Sequence, residues 1–354
     1  MPKSSANRRS LDLDPVNWPT RYLLKLASQK VLGLVPGLYR VQEAYKRRRD
    51  NWRGLVDPDF VLREARARVA DFAAAGIAPP RTVVEQGTGW HGADLVLFAL
   101  AGARRLTTYD ATPWLRAELL GELLRLAPRI APIVREWPGV DGAGLDRRAD
   151  ELAALADRPL HEQLAGLRCT RIVTRNARRA ELATGSVDLV YSNSVLQRVT
   201  PDDLAALTSE WARALRRDGR TFHIVDTKDF HSINDPRVPE LGYLRWSPRL
   251  WRFATSRYLN YQNRLRSPEF ARLFEAAGLE ASITERLVTP ENIAYAREHY
   301  ASDPRFRKMT VEELATTQTK LCATVPNSSK SRGARGEPAS LVATAGKSSV
   351  REPS

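Results

Sequence analysis

The chain has 354 residues, of which 43% are hydrophobic, and a formal net charge of +14. Its two cysteines, Cys169 and Cys322, cannot form a disulfide framework, and neither belongs to a Cys-x-x-Cys pair. The longest apolar run, LVLFALAGA, has about half the length of a membrane span, and the N-terminus lacks the apolar core of a secretory signal. We therefore expect a cytoplasmic protein with no transmembrane segment and no metal site.

The positive charge raises the question of a nucleic-acid partner, because clustered Lys and Arg attract phosphate. The arginines are spread along the chain and mostly share segments with Asp or Glu, and no base-stacking motif accompanies them. This distribution favours a solvated arginine-rich surface over a nucleic-acid groove.

The two ends of the chain differ in composition from its centre. Residues 1–14 and 324–354 are predicted to be disordered, since they are rich in Ser, Gly, Pro, Ala and basic residues. Residues 15–79 are predicted to be a basic amphipathic helical extension, which packs on its own domain or makes a peripheral contact with an anionic membrane. Packing is the commoner outcome for such a segment.

From residue 80 to 290 the sequence predicts an α/β domain. The predicted strands are RTVVEQ, RRLTTYD, RCTRIVTRN, SVDLVYSN, RTFHIVD and LEASITERLV, with helical patterns between them. The helix TPDDLAALTSEWARALRRDG has Thr200 as its predicted N-cap and Gly219 past its end. Such alternation predicts a mostly parallel, doubly wound sheet with helices on both faces. Residues 128–167 are predicted to be an insertion, 230–266 a lid-like segment and 291–323 a C-terminal helical segment.

The first predicted strand ends in VVEQGTGWHG, where Gly87, Gly89 and Gly92 have the dinucleotide-binding spacing G-x-G-x-x-G. Ligands of such sheets bind beyond the carboxyl ends of the strands. We expect Gly87 and Gly89 to let the backbone approach a ligand and Asp110 to accept hydrogen bonds from ribose hydroxyls. These features fit any adenosine cofactor, and Gly92 is interpreted as an incidental completion of the pattern.

Glu85 discriminates among these cofactors, because a carboxylate in this loop would repel a pyrophosphate and attract a cationic ligand. S-adenosylmethionine carries a sulfonium and an ammonium group. The alternative is that Glu85 only caps backbone N–H groups of the loop.

At VVEQGTGWHG, LTTYD, RNARRAELATGSVDLVYSNSVLQRV and LRRDGRTFHIVD the chain resembles the class I S-adenosylmethionine-dependent methyltransferases, and most of all bacterial methyltransferase-domain proteins. The resemblance covers about residues 80–290. It implies a Rossmann-like sheet of seven strands with the last strand antiparallel, S-adenosylmethionine as cofactor and methyl transfer as the reaction. It also implies that Glu85, Gly87 and Gly89 line the methionine end of the cofactor, with Asp110 at the ribose.

The resemblance implies further cofactor residues in the third and fourth strand regions. Asn176 and Ala177 fall beside the adenine, where the family usually has an acid before a small residue, and the Asn176 side-chain oxygen can still accept from the adenine amino group. Ser192 and Asn193 fall near the transferred methyl.

General-base help is needed only for weak nucleophiles, since methyl transfer depends mainly on alignment of donor and acceptor. The candidate catalytic residues are Asp229 and His231, just after the fifth predicted strand. The family's frequent LEHV appears here as Leu196-Gln197-Arg198-Val199, without its two proton acceptors.

The predicted acceptor is a small molecule, acidic or amphiphilic, because residues 241–266 combine Trp, Tyr and Arg. Three alternatives stay open. A nicotinamide-dependent oxidoreductase fits the glycine spacing but lacks a Tyr-x-x-x-Lys set. A non-catalytic binding protein with a degenerate methyltransferase fold fits Asn176 and the Gln197-Arg198 departure. RNA methylation fits the charge, but the fourth-strand turn is not of the N-P-P-Y type.

Overall fold

The structure is a computed structural model that describes residues 18–34, 54–174, 182–233, 235–255, 261–300 and 303–326. Its helices are α1 (Trp18–Leu34), α2 (Pro58–Ala74), α3 (Ala93–Leu100), α4 (Ala117–Arg125), α5 (Ala127–Arg135), α6 (Leu145–Ala153), α7 (Leu160–Gly166), α8 (Pro201–Ala214), α9 (Pro248–Ala254), α10 (Ser267–Ala276), α11 (Pro290–Tyr300) and α12 (Val311–Ala315). Its strands are β1 (Thr82–Gln86), β2 (Arg105–Asp110), β3 (Cys169–Val173), β4 (Val187–Asn193), β5 (Leu215–Asp226), β6 (Glu280–Leu287) and β7 (Gln318–Thr324).

The seven strands form one sheet in the order β3-β2-β1-β4-β5-β7-β6. Strand β1 pairs in parallel with β2 on one side and with β4 on the other. Strand β7 pairs antiparallel with both β5 and β6. The predicted α/β fold is therefore confirmed, including the antiparallel last strand.

The seventh strand is not the segment that the sequence patterns indicate. The predicted final strand, LEASITERLV, is β6, and the antiparallel strand is QTKLCAT at Gln318–Thr324. The predicted boundaries are wrong here, because the sheet continues past residue 290 and ends inside the predicted tail, at Thr324. The segment is short and contains Thr and Lys, and its place in the sheet depends on pairing with two distant strands. The remainder of the predicted tail, from residue 327, lies outside the described residues, as does the predicted disordered segment 1–14.

A second boundary differs between α8 and β5. The N-cap prediction is confirmed, since the Thr200 hydroxyl accepts from the backbone N–H of Asp203 at 3.2 Å. The helix ends at Ala214, however, and β5 begins at Leu215 rather than beyond Gly219. The pairing with β4 shifts register between Leu215 and Arg220, so the predicted last helical turn is an irregularity of the strand.

Helices cover both faces of the sheet. On one face α2 and α3 pack with the helices between β2 and β3, and the Phe72 ring of α2 lies 4.8 Å from that of Trp137. On the other face α8 and α10 pack through Trp211 and Phe274, whose rings are 6.2 Å apart. Helix α2 is therefore part of the domain core, and the predicted insertion 128–167 forms α5–α7, which bury Ile130 and other apolar side chains in the same core. No helix among the described residues is long and apolar enough to cross a membrane.

The segment after β5 packs around a buried arginine. Arg266 is 0% exposed and donates to the carbonyl oxygens of Thr227 and Leu314 at 2.8 and 2.9 Å, to the Tyr243 hydroxyl at 2.8 Å, and to the carbonyl of Thr316. Its guanidinium therefore joins the end of β5 to the segments before α10 and β7. Much of the predicted lid-like segment 230–266 is core, since Tyr243 is 0% exposed as well.

Replacing Arg266 by Met removes its hydrogen bonds to these groups while keeping most of the side-chain volume. The carbonyls of Thr227 and Thr316 keep one donor each, the hydroxyls of Tyr243 and Thr227, whereas the Leu314 carbonyl loses its side-chain donor. We expect the free energy of unfolding to fall by at least about 2 kcal/mol, because an unpaired buried carbonyl costs about 1–3 kcal/mol and each of the other lost hydrogen bonds about 0.5–1.5 kcal/mol. Urea denaturation followed by circular dichroism measures this. The matched control is Arg272→Met on the exposed side of α10, where a change within about 0.5 kcal/mol is expected. Equal effects of both substitutions would contradict this role of Arg266.

Candidate functional site

The candidate site lies at the carboxyl edge of the sheet, between β1 and β4. Strand order reverses there, since β2 and β3 lie on one side of β1 and β4 and β5 on the other. The loops that follow β1 and β4 consequently leave the sheet toward opposite faces and open a crevice between them. The glycine loop, the Asp110 carboxylate and the residues after β4 all lie at this edge.

The glycine loop approaches the neighbouring strand and loop closely. The Gly87 N–H donates to the Tyr109 carbonyl at 2.6 Å, and Gly87 has a φ of 88°. A Cβ at this position would come within 2.2 Å of the Val195 side chain, which follows β4. Gly87 is therefore required by the left-handed backbone and by its close contact with the loop after β4.

Gly92 also has a structural role, which corrects its interpretation as incidental. It is the N-cap residue of α3 and has a φ of 67°, in the left-handed region that favours glycine. A Cβ would lie 3.2 Å from side-chain atoms of Leu95 and Leu115. The third glycine of the pattern thus starts the helix.

Glu85 lies beneath the glycine loop, with its side chain buried. It is 3% exposed, and its Oε2 accepts from the Thr108 hydroxyl at 2.8 Å. The Thr108 hydroxyl also contacts that of Thr88 in the loop. Burial, together with the nearby carboxylates of Asp94 and Asp110, raises the pKa of Glu85 to about 8, and the Thr108 hydrogen bond opposes this rise. The alternative role, capping of loop N–H groups, is not what the structure shows.

Asp110 ends β2 and bridges two loops. Its Oδ2 accepts from the Gly89 N–H and its Oδ1 from the Thr112 N–H, both at 3.0 Å. Burial raises its pKa, and the backbone hydrogen bonds oppose that rise. Each oxygen still has a lone pair for a further donor, so the carboxylate can hold the loops and accept from a ligand at once.

Two tryptophans in these loops form a pair that the sequence patterns did not single out. Trp90 in the glycine loop and Trp114 after β2 are both half-buried, and their ring centroids are 3.9 Å apart. In the sequence, Trp90 stands inside the glycine pattern, directly after Gly89, and Trp114 stands four residues after Asp110. The pair forms an apolar wall beside Asp110.

A polar cluster lies at the start of α3. The Tyr191 hydroxyl of β4 donates to Asp94 at 3.0 Å, and the Arg68 Nε of α2 lies 3.7 Å from the other Asp94 oxygen. His91 accepts from the Ala93 N–H through Nδ1 at 3.1 Å, and burial lowers its pKa. The cluster explains why Tyr191 is fully buried although it is polar.

This cluster forms one wall of a cavity of about 200 Å³ beneath α2. Its polar lining comprises Glu64, Arg68, His91, Asp94 and Asn193, and its apolar lining includes Phe60 and Leu97. Asn193, which the resemblance implies to be near the transferred methyl, lines this cavity from the end of β4.

The neighbouring Ser192 does not reach the cavity. Its side chain is 0% exposed, and its Oγ lies 2.7 Å from Nδ1 of His223 on β5. Side chains alternate along a strand, so Ser192 and Asn193 point to opposite faces. The Ser192 hydroxyl therefore belongs to the core. The two predicted adenine residues, Asn176 and Ala177, lie outside the described residues.

Asp229 and His231, the predicted bases, are buried at 0% and 4% exposure. The Asp229 Oδ1 accepts from the His231 N–H at 2.8 Å, and its Oδ2 accepts from the Tyr22 hydroxyl of α1 at 2.9 Å. Burial raises the pKa of Asp229 to about 7 and lowers that of His231 to about 4. Asp229 therefore positions α1 through Tyr22. Neither the Asp229 nor the His231 side chain is exposed at the carboxyl edge of the sheet.

Arg198, which replaces the histidine of the family pattern, lies near these two residues. Its guanidinium is 3.9 Å from the Phe230 ring centroid and donates to the Tyr261 carbonyl at 3.4 Å. Burial lowers its pKa to about 10, while Asp226 and Asp229 raise it. A cation therefore occupies the position where the family often has a proton acceptor.

No three His, Cys, Asp or Glu side chains in the described part of the chain lie together as a metal site. The polar groups at the carboxyl edge are instead three carboxylates near one glycine loop, Glu85, Asp94 and Asp110. Since a nearby cation favours the ionised form of a carboxyl group and a nearby anion opposes it, this set favours a cationic ligand and disfavours a pyrophosphate.

One family model matches part of the chain. A model of the methyltransferase domain matches residues 139–223, which run from the α5–α6 connection through β3, β4 and α8 to β5. The match does not include the glycine loop or Asp110. No curated protein matches the sequence.

The solved structures that match this chain are distant from it in sequence. A chain of the Haloferax volcanii complex that contains the Trm112 methyltransferase activator is 16% identical, and the match covers 79% of this chain and 97% of that one with a TM-score of 0.38. An O-methyltransferase family protein from Burkholderia thailandensis is 14% identical, and the match covers 77% of this chain and 59% of that one with a TM-score of 0.38. The YcgJ protein from Bacillus subtilis is 13% identical, and the match covers 75% of this chain and 100% of that one with a TM-score of 0.37.

Similarity at this level carries no argument about the activity of this chain. The match to the methyltransferase-domain model does not depend on these structures. It covers strands β3 and β4 and most of β5, including the motif RNARRAELATGSVDLVYSNSVLQRV. The resemblance to the class I S-adenosylmethionine-dependent methyltransferases that these motifs predict is thereby confirmed.

Proposed function

We propose that the chain transfers a methyl group from S-adenosylmethionine to a small-molecule acceptor at the β1–β4 crevice. The observation that carries the proposal is the set of three carboxylates around the glycine loop, Glu85, Asp94 and Asp110. A cationic sulfonium ligand is stabilised by the Asp110 carboxylate and by Glu85 once it ionises, whereas a dinucleotide would bring its pyrophosphate beside these two acids. Asp94, which pairs with Arg68, contributes less. The electrostatics therefore favour a methyl donor over a nicotinamide cofactor.

The residues divide into roles along the crevice. Asp110 accepts from the ribose hydroxyls, the Trp90–Trp114 pair covers the apolar side of the ligand, and Glu85 provides negative charge beneath the loop. The bound cofactor supplies an electrophilic methyl group on a sulfonium. The protein's part is to align donor and acceptor, a contribution that needs no covalent intermediate.

The acceptor side is assigned to the cavity beneath α2. Its apolar lining and its polar cluster of Arg68, Asp94 and Asn193 suit a small molecule with one polar end. The burial of Asp229 and His231 does not support them as proton acceptors there. We propose that the acceptor is sufficiently nucleophilic, or loses its proton to water, so that alignment alone suffices.

The first test is binding. Isothermal titration calorimetry of the full chain with S-adenosylhomocysteine should give saturable binding, and titration with NAD or NADP should give none. Saturable binding of a nicotinamide cofactor alone would overturn the proposal. Binding of none of these ligands would favour a non-catalytic protein with the same fold.

Asp110→Ala should weaken S-adenosylhomocysteine binding by about 10- to 100-fold, because hydrogen bonds to a charged acceptor contribute about 1.5–3 kcal/mol. The matched control is Asp188→Ala at the opposite edge of the sheet. Asp188 likewise accepts from two backbone N–H groups, those of Arg81 and Thr82 at 3.0 and 2.7 Å. It should change stability but leave the affinity intact. An unchanged affinity in Asp110→Ala would show that the ribose binds elsewhere.

Glu85 provides a pH test of the ligand's charge. In the free chain its pKa of about 8 keeps the carboxyl largely protonated at neutral pH. A cationic ligand favours the ionised form, so binding releases a proton and tightens as pH rises. Between pH 5 and 7, below the pKa of about 8 of an α-amino group, we expect the affinity for S-adenosylmethionine to rise by up to about tenfold per pH unit.

The control for this test is Glu85→Gln, which retains an oxygen that accepts from Thr108 but cannot ionise. Its affinity for S-adenosylmethionine should be almost independent of pH across the same range. An equal slope in wild type and variant would assign the released proton to another group and would show that Glu85 does not ionise when the ligand binds.

A further inference from the structure

Helix α1 packs on the domain through one face and leaves apolar side chains on the other. Tyr22 and Leu26, one turn apart, are 2% and 0% exposed. Leu24 and Val31, which are seven residues apart and so lie on a common face, are 66% and 60% exposed. A helix that had completed its burial through packing would show polar residues on that face.

Helix α9, more than two hundred residues later in the chain, extends the same apolar surface. Leu250 and Phe253 are 37% and 71% exposed. The Lys30 ammonium of α1 lies 4.2 Å from the centroid of the Phe253 ring and donates to the Phe253 carbonyl. The two helices are therefore neighbours, and their exposed apolar side chains form one surface, which we name the α1–α9 surface.

Exposed apolar side chains concentrate on this surface. The described residues include seven large hydrophobic side chains that are exposed, and four of these are Leu24, Val31, Leu250 and Phe253. Contiguous apolar groups of this kind on a folded domain mark an interaction site. Single exposed residues elsewhere, such as Leu287, need no such explanation.

The charge on the same two helices has one sign. Their sequences, WPTRYLLKLASQKVLGL and PRLWRFA, contain five Lys or Arg and no Asp or Glu. Lys25, Arg249 and Arg252 are exposed around the apolar side chains. Other helices of the chain, such as α8 and α10, combine arginines with acids.

The surface lies at the carboxyl edge of the sheet. The Tyr22 hydroxyl of α1 donates to Asp229, which follows the end of β5, and the Tyr22 ring lies 5.1 Å from that of His231. The loops after β1 and β4 leave the same edge. A partner bound to the α1–α9 surface would therefore lie beside the candidate site.

We propose that the α1–α9 surface docks on an anionic lipid bilayer. Leucine, valine and phenylalanine side chains surrounded by Lys and Arg are what an interfacial helix presents to a membrane, with the apolar groups at the acyl boundary and the cations at the headgroups. An acidic protein would match the charge but would not require four exposed apolar side chains on two helices. Docking presents the crevice to amphiphilic molecules in the leaflet.

Flotation of the full chain with lipid vesicles tests the proposal. The chain should float with vesicles of phosphatidylcholine and phosphatidylglycerol at 7:3 and should not float with phosphatidylcholine alone. Raising the salt concentration should weaken binding, since the headgroup attraction is screened. Failure to float with anionic vesicles would overturn the proposal, and retention on RNA or on an acidic protein in their place would assign the surface to that partner.

Matched variants locate the contact. Arg249→Gln with Arg252→Gln should weaken vesicle binding by about 25-fold, because each cation near an anionic surface contributes about fivefold. The control is Arg104→Gln with Arg105→Gln, which removes the same charge from exposed residues at the amino edge of β2 and should change binding by less than about twofold. Equal losses in the two pairs would show that net charge alone binds the vesicles.

A second set of variants tests the apolar part of the contact. Phe253→Ser and, separately, Leu24→Ser should each weaken binding at least about tenfold, since a buried Phe or Leu side chain contributes about 1.5–3 kcal/mol. Leu287→Ser, which alters an exposed side chain at the end of β6, should leave binding unchanged. Each variant is checked for an unchanged melting temperature. No part of this experiment requires a methyl acceptor, so its outcome is independent of the proposed reaction.

Discussion

The reversal of strand order between β1 and β4 is the constraint on which the candidate site depends. Two adjacent parallel strands whose following connections leave toward opposite faces cannot close the space between their carboxyl ends. The glycine loop enters that space from one side and the loop after β4 from the other. Gly87 shows how close the two loops are, because a Cβ there would overlap the Val195 side chain. The crevice is thus a consequence of topology, and its lining is determined by the few residues at the strand ends.

Charge then decides what the crevice favours. A glycine-rich turn before a helix is a general device for approaching a phosphate-bearing or adenosine-bearing ligand, and its backbone does not discriminate among them. Buried carboxyl groups, in contrast, discriminate between cationic and anionic ligands. Glu85 lies beneath the loop, where burial and two nearby carboxylates hold its pKa far above the usual range of a glutamic acid. A group in this state gains from a cationic ligand and loses from an anionic one, which is the physical basis for preferring a sulfonium donor.

The half of the molecule after β5 has a different organisation. Two of its buried polar groups join distant segments, with Arg266 donating to backbone carbonyls and Asp229 accepting from α1. Such networks position segments rather than react, because every bond they make would have to be broken to free the group. The docking of α1 through Tyr22 joins the start of the chain to the segment after β5. It also sets the apolar face of α1 beside α9, where neither helix alone would form an extended surface.

The sequence by itself determined the class of fold, the presence and chain order of strands β1 to β6, the Thr200 cap and the places of Glu85, Gly87, Gly89 and Asp110 at the strand ends and in the glycine loop. These features are local: they depend on periodicity, caps and glycine spacing within a few residues. Tertiary structure alone decided the features that depend on distant segments. Strand β7 is a strand because β5 and β6 flank it, and Trp90 meets Trp114 because parallel strands bring their loops together. The tertiary structure likewise placed Asn193 at the cavity and Ser192 in the core, and it buried Asp229 and His231. The burial of these side chains depends on contacts with segments that are distant along the chain, and local sequence patterns do not reveal such contacts.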